Sequence, residues 1–313
     1  MLIFEYMRKE LNTLIILSVI LCLLCHESIA GQQASSSTHI KDNLLNVAPE
    51  YFMLSSYTGG DFFFWAPGEF GSPISSLITS KYLIGQGFHD QPILLNYGEM
   101  NLSGEVREFN FPVESNINEL SFFIGLQDKI LVTVSDPDGQ KIPGDELSHM
   151  FLTKIQNPSS GSWKIIVNGR GLSSISVRAC CVDNGKPDNT EILDFYKFEI
   201  VRPNEDIHGG FFPIEEDPIA GKNELCSAKI LGKNYKTAQF EFLTMDGQTL
   251  QILDLHQNYP SADPKAFIGS CKIPQVPFRV KVNGLDKNDL PYQRFSVPLI
   301  QPKKPELIKT SSR

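Results

Sequence analysis

The residues able to do chemistry are present but scattered. His26, His39, His89, His149, His208 and His256 show neither the i, i+4 spacing of a zinc-binding helix nor any shared local motif. No serine sits in a Gly-x-Ser-x-Gly turn, no phosphate-cradling loop is present, and Gly85-Gln86-Gly87 is only a fragment of a dinucleotide fingerprint. Catalysis needs a nucleophile, a base and an electrophilic partner held together. The sequence therefore predicts no catalytic residue, no metal site and no cofactor. Asp136, Asp138 and Asp145 carry oxygens of the kind calcium takes. Asp136-Pro137-Asp138-Gly139 already reads as a β-turn, however, with proline presetting φ at the second position and glycine permissive at the last. Trp163 follows a Ser159-Ser160-Gly161-Ser162 loop, where a sugar-stacking aromatic would sit, but it alternates with Ile165 and Val167 and is expected in a core.

Two covalent features remain. Asn101-Leu102-Ser103 is a glycosylation sequon, expected in a polar loop ahead of a strand, whereas proline excludes Asn157-Pro158-Ser159. Of the six cysteines, Cys22 and Cys25 lie in an N-terminal apolar run, leaving Cys180, Cys181, Cys226 and Cys271. Four cysteines allow three connectivities. Neighbours on a strand point to opposite faces, so Cys180 and Cys181 are not expected to bond to each other.

That apolar run, Leu11 to Leu24 behind Arg8 and Lys9 with Ser28-Ile29-Ala30 after it, has the form of a secretory signal over residues 1–30. It is shorter than the roughly twenty residues of a membrane span, and no later segment is apolar enough to be one. Secretion makes disulfides chemically permitted. The chain carries a net charge of −8 with no basic run, which argues against nucleic acid or an anionic membrane as partner.

The remaining chain has the length of about two domains. Residues 31–47 read as a disordered leader. Next come Tyr51-Phe52-Met53-Leu54, an aromatic run Phe62-Phe63-Phe64-Trp65, and a helix signal with Ser72 as N-cap, Pro73 in the first turn, apolar Ile74, Leu77, Ile78 and Tyr82, and Gly85 as stop. From about residue 105 short β-branched and aromatic runs alternate with turn residues, the signature of an antiparallel sandwich over residues 91–202. Its last strand is expected at Ile192 to Val201. A Pro- and acid-rich stretch from Pro203 to Asp217 separates a second β-rich set, giving a second sandwich over residues 203–302 and a disordered tail over 303–313.

Three stretches together carry a resemblance. Tyr51 to Asp61 resembles the last strand and Thr-Gly-Gly turn of a von Willebrand A domain. Asp136-Pro137-Asp138-Gly139 with Gly161-Ser162-Trp163-Lys164-Ile165 resembles the sandwich that follows that domain in hemicentins. Phe278-Arg279-Val280-Lys281-Val282-Asn283-Gly284-Leu285-Asp286, running on to Tyr292-Gln293-Arg294, is similar to the end of their immunoglobulin-like domain. The resemblance implies a mainly β chain: an A-domain remnant over residues 48–90, a galactose-binding-like sandwich, then an immunoglobulin-like one. It also implies an extracellular matrix or cell-adhesion role, binding a protein or glycan without catalysis. The family's Asp-x-Ser-x-Ser metal motif is absent, so no metal ligand carries over. For the second sandwich the likeness implies a Cys226–Cys271 disulfide of the kind that joins the two sheets of an immunoglobulin-like domain. The rival readings are a lectin-like carbohydrate binder and a truncated product with no function of its own.

Overall fold

The computed structural model describes residues 93–126, 131–147, 150–180, 193–203, 210–214, 216–232, 235–257, 266–296 and 299–305. The expected signal, leader, A-domain remnant with its helix, and the last residues of the tail lie outside them. The described residues are mainly β, in antiparallel sheets, with no helix among them.

The first sandwich is built on a long two-stranded ribbon, β1 (Ile93–Val113) against β7 (Gly161–Cys180), in register from Ile93 opposite Ala179 to Val113 opposite Gly161. The register slips between Ser103 and Val106, beside Gly104 (φ +105°) and Gly171 (φ +87°), which supply backbone that other residues rarely adopt. On one side of this slip β7 pairs with β3 (Leu131–Ser135), which carries β4 (Lys141–Ile142). On the other it pairs with β2 (Glu119–Leu126), followed by β6 (Met150–Gln156) and β5 (Asp145–Leu147). Both arms feed one core: Ile93, Leu95 and Leu102 meet Phe111, Trp163 and Ile165. The Phe122 ring, on the second arm, lies 6.0 Å from those of both Phe111 and Trp163 on the first. One hydrogen-bonded sheet thus folds over to make both layers.

The second sandwich begins earlier than the sequence predicts. The strand expected to close the first sandwich, β8 (Asp194–Pro203), pairs instead with β10 (Asn223–Leu231). With β9 (Phe211–Pro213), β13 (His256–Gln257) and β14 (Ala266–Lys272) it completes a sheet of order β13-β14-β10-β8-β9. The facing sheet runs β12-β11-β15-β16, from β11 (Gln239–Leu243), β12 (Thr249–Leu253), β15 (Arg279–Leu285) and β16 (Pro291–Phe295). Alternation explains the core: Phe240 and Phe242 of β11 and Val280 and Val282 of β15 point inward to Ala228, Ile230 and Phe267. Because Phe195 and Ile200 of β8 belong to this same core, a boundary after residue 202 would split it.

Three tight turns repeat one design. In each, the first residue's N–H donates to the carbonyl four residues on and its own carbonyl accepts from the N–H three residues on: Asp136 with Gln140 and Gly139, Thr244 with Gln248 and Gly247, Asp286 with Leu290 and Asp289. The first residue's side-chain oxygen also accepts from the N–H four residues on in every case. The fourth position has positive φ throughout, at Gly139 (+81°), Gly247 (+83°) and Asp289 (+61°).

Candidate functional site: the seam between the sandwiches

The two sandwiches meet along the outer face of β1. An extra residue in β1 between Leu94 and Asn96 puts Leu94 and Tyr97 on that face, where they pack with Leu243 and Phe295 of the second sandwich. Polar bonds cross the seam on both sides of this patch. The Glu99 N–H donates to Met245 O at 2.7 Å, and Gln293 Nε2 donates to Leu95 O at 2.9 Å. Arg107 reaches Asp246 at 3.7 Å in a partly exposed pair.

Two arginines give the seam its character. Arg294, 1% exposed, brings Nη2 within 2.7 Å of Glu114 Oε1 and donates from Nε to Leu193 O at 2.7 Å. Arg279, 2% exposed, lays its guanidinium 3.9 Å from the centre of the Tyr97 ring and 3.7 Å from Glu99 Oε1, while the Tyr97 hydroxyl donates to that same carboxylate oxygen. Burial pulls the Arg279 guanidinium below its ordinary range, opposed by Tyr97 and Glu99; an arginine so placed still holds its proton. Buried charge is costly unless paired with good geometry. Each arginine comes from the second sandwich and each carboxylate from the first, so the pairs are complete only when the sandwiches stand in one relative position.

Beside the arginines, Gln239, Asn283 and Gln293 stand in register across β11, β15 and β16 and line a groove of about 560 Å³ at the seam, with Pro112 of the first sandwich and Pro291 and Tyr292 of the second. Asn283 Nδ2 donates to Glu241 Oε1 at 2.8 Å. Burial alone would raise the Glu241 carboxyl, but the Thr249 hydroxyl, the Lys281 ammonium and Asn283 hold it below the usual carboxylate range. Burial pushes the Tyr292 phenol up, and its hydroxyl donates to Thr237 O at 2.9 Å. Side chains here bond to one another or to backbone, and what the arrangement does chemically is hold two domains in register.

The residues singled out from sequence lie apart from the seam. Cys226 and Cys271 are disulfide-bonded, with 6.1 Å between their Cα atoms. The bond joins neighbouring strands β10 and β14 of one sheet, not two facing sheets as the immunoglobulin likeness implies; Glu224 stands opposite Cys271 and Cys226 opposite Gly269. Asn101 is exposed but lies within β1, opposite Leu172, where a loop is expected. The reason is that the polar, glycine-containing stretch around it is the bend of a continuous ribbon. Trp163 is buried in the first core with Nε1 donating to Ser159 O at 2.8 Å, so its ring is not offered to a sugar. Asp136 Oδ1 accepts the N–H groups of Asp138 and Gln140, as the turn reading requires. No group of three or more His, Cys, Asp or Glu side chains able to hold a metal is found among the described residues. His256 pairs with Asp254 at 3.2 Å on the surface, and the other five histidines and Cys181 lie outside the described residues. Arg279 and Arg294 sit inside the stretches that carry the family resemblance, but no sequence signal names their partners in the other sandwich.

No family model matches the chain, and no curated protein matches it either. Among solved structures, that of the Bacillus licheniformis lipase BlEst2 in its propeptide form is similar at 13% identity and a TM-score of 0.32, over 77% of this chain and 49% of that one. The chain thus spans about half the length of that protein, and a likeness this loose carries no argument about fold or activity.

Proposed function

We propose that the chain is a secreted, non-catalytic interaction module of the hemicentin type, acting in the extracellular matrix or at the cell surface by binding another extracellular protein. In this reading the first sandwich is galactose-binding-like, the second immunoglobulin-like, and residues 48–90 derive from an A domain. The observation that carries it is the seam. Two buried arginine–glutamate pairs hold two sandwiches as one body, an arrangement suited to presenting a fixed surface to a partner rather than to opening and closing on a substrate. The Cys226–Cys271 bond accords with an oxidising compartment, and exposed Asn101 is placed to accept a glycan.

Expression of the tagged chain in secretory cells tests compartment and partner together. The expected result is a medium-borne protein that loses mass on glycosidase treatment and, in proximity labelling, marks matrix or cell-surface proteins. An intracellular, unshifted product overturns the proposal. Saturable, sugar-competable signals on a glycan array would replace it with the lectin-like reading.

A further inference from the structure

A second covered face lies on the first sandwich, away from the seam. In the layer β1-β7-β2-β6, Leu120, Phe122 and Ile124 of β2 and Phe151 of β6 point into the core. By alternation Phe123, Met150 and Leu152 point the other way, outward. They are nevertheless 5%, 2% and 0% exposed. The register sets them in rows, Tyr97–Ser176–Phe123–Leu152 and Glu99–Ser174–Gly125–Met150, with small residues in the middle that leave a shallow trough. Ser174 and Ser176 are buried as well.

The second sandwich does not account for this burial. Its apolar contact with the first is Leu243 and Phe295 against Leu94 and Tyr97, all on β1. Phe123 lies two strands farther across the layer and Leu152 three, roughly 10 and 14 Å away at the usual spacing between strands. Neither they nor Met150 belong to that patch or to the core beneath. What covers them comes from outside the described residues.

Composition narrows the choice. The other segments outside the described residues and within the compact body that runs from Leu54 to Arg313 are residues 127–130, 148–149, 181–192, 204–209, 258–265 and 306–313, all polar and short, besides two isolated stretches of one and two residues. Only the stretch before β1 has apolar mass to match the trough: Phe62-Phe63-Phe64-Trp65, and the one-sided stripe Ile74, Leu77, Ile78 and Tyr82. A stripe of that period needs a flat apolar partner, and a short connection separates it from Ile93, which starts on this same layer.

We infer that the segment from Phe62 to Tyr82 docks on the outer face of β1-β7-β2-β6, laying its apolar side chains over Phe123, Met150 and Leu152, so that it is an integral third layer of the first sandwich.

The test uses the secreted full chain with a protease site inserted between residues 86 and 90. After cleavage the upstream fragment should co-elute with the sandwiches in size exclusion. Leu77→Asp with Ile78→Asp should release it and raise the binding of an apolar dye several-fold, while Ser75→Asp with Ser76→Asp, on the same stretch but off the stripe, should do neither. Separation of the unsubstituted fragment without gain of dye binding overturns the inference. So does equal behaviour of the two double variants, or a fragment-free chain that elutes as a dimer, which would make a second copy the occupant. Should the Asp pair prevent secretion, co-elution of the cleaved unsubstituted chain decides the matter alone.

Discussion

At the scale of single residues, the seam sets buried charge against buried charge, and the consequences of breaking it are asymmetric. Arg294→Met leaves Glu114 without its cation and removes a donor from Leu193 O, which should cost about 3–5 kcal/mol. Pairing it with Glu114→Leu should recover much of that loss, because the lone buried carboxylate is then gone. Denaturant melts of the two single variants and the double variant measure this directly. Asp289 offers a change of opposite sign. It occupies, at φ +61°, the turn position that glycine holds in the two sister turns. Asp289→Gly should stabilise by about 0.5–1 kcal/mol, less a few tenths for its exposed pair with Lys236. A rise in the midpoint of thermal unfolding checks it.

The strand is the scale at which the sequence was most readable and also where it misled. Alternation located β2, β6, β10, β11 and β15 because each buries one face and shows the other. It failed for β1, whose residues 93–100 are buried on both faces and so show no alternation. It also divided β7 in two, since Asn168-Gly169-Arg170-Gly171 reads as an interruption but is the bend of one strand. β8 was found but put in the wrong sandwich: a strand's pattern shows that it has a buried face, not which core receives it. The disulfide partners followed from the resemblance, while their place in one sheet depends on strand order, which spacing does not encode. The arginines of the seam were visible as lone cations in apolar strands; their partners, Glu99 and Glu114, lie well over a hundred residues away.

The sheet β12-β11-β15-β16 carries a pH response through Glu241. Its folded-state carboxyl is held below the ordinary value, so the stabilisation is present above the unfolded value of about 4.3 and is lost as pH falls through the lower, folded one. Acid titration of unfolding should therefore show stability falling below about pH 4. Glu241→Gln should flatten that part of the curve, at the cost of the Lys281 pair.

For the whole molecule, the seam implies shared fate. With Leu94, Tyr97, Leu243 and Phe295 packed together and two ion pairs crossing, neither sandwich can unfold without uncovering charges buried in the other. Calorimetry should give one transition whose calorimetric and van't Hoff enthalpies agree. Two resolved transitions, one for each sandwich, would show that the seam does not couple them.

The bond within the β10–β14 pair has a mechanical meaning too. A chain anchored in a matrix is pulled from its ends, and a sheet that yields releases contour length strand by strand. Cys226 and Cys271 are tied across 45 positions, so the β11 and β12 strands and everything else between them form a closed loop that tension cannot straighten. At about 3.4 Å per extended residue, roughly 150 Å of chain is withheld from stretching until the bond is reduced. Extension under load is thereby set by the redox state of the surroundings.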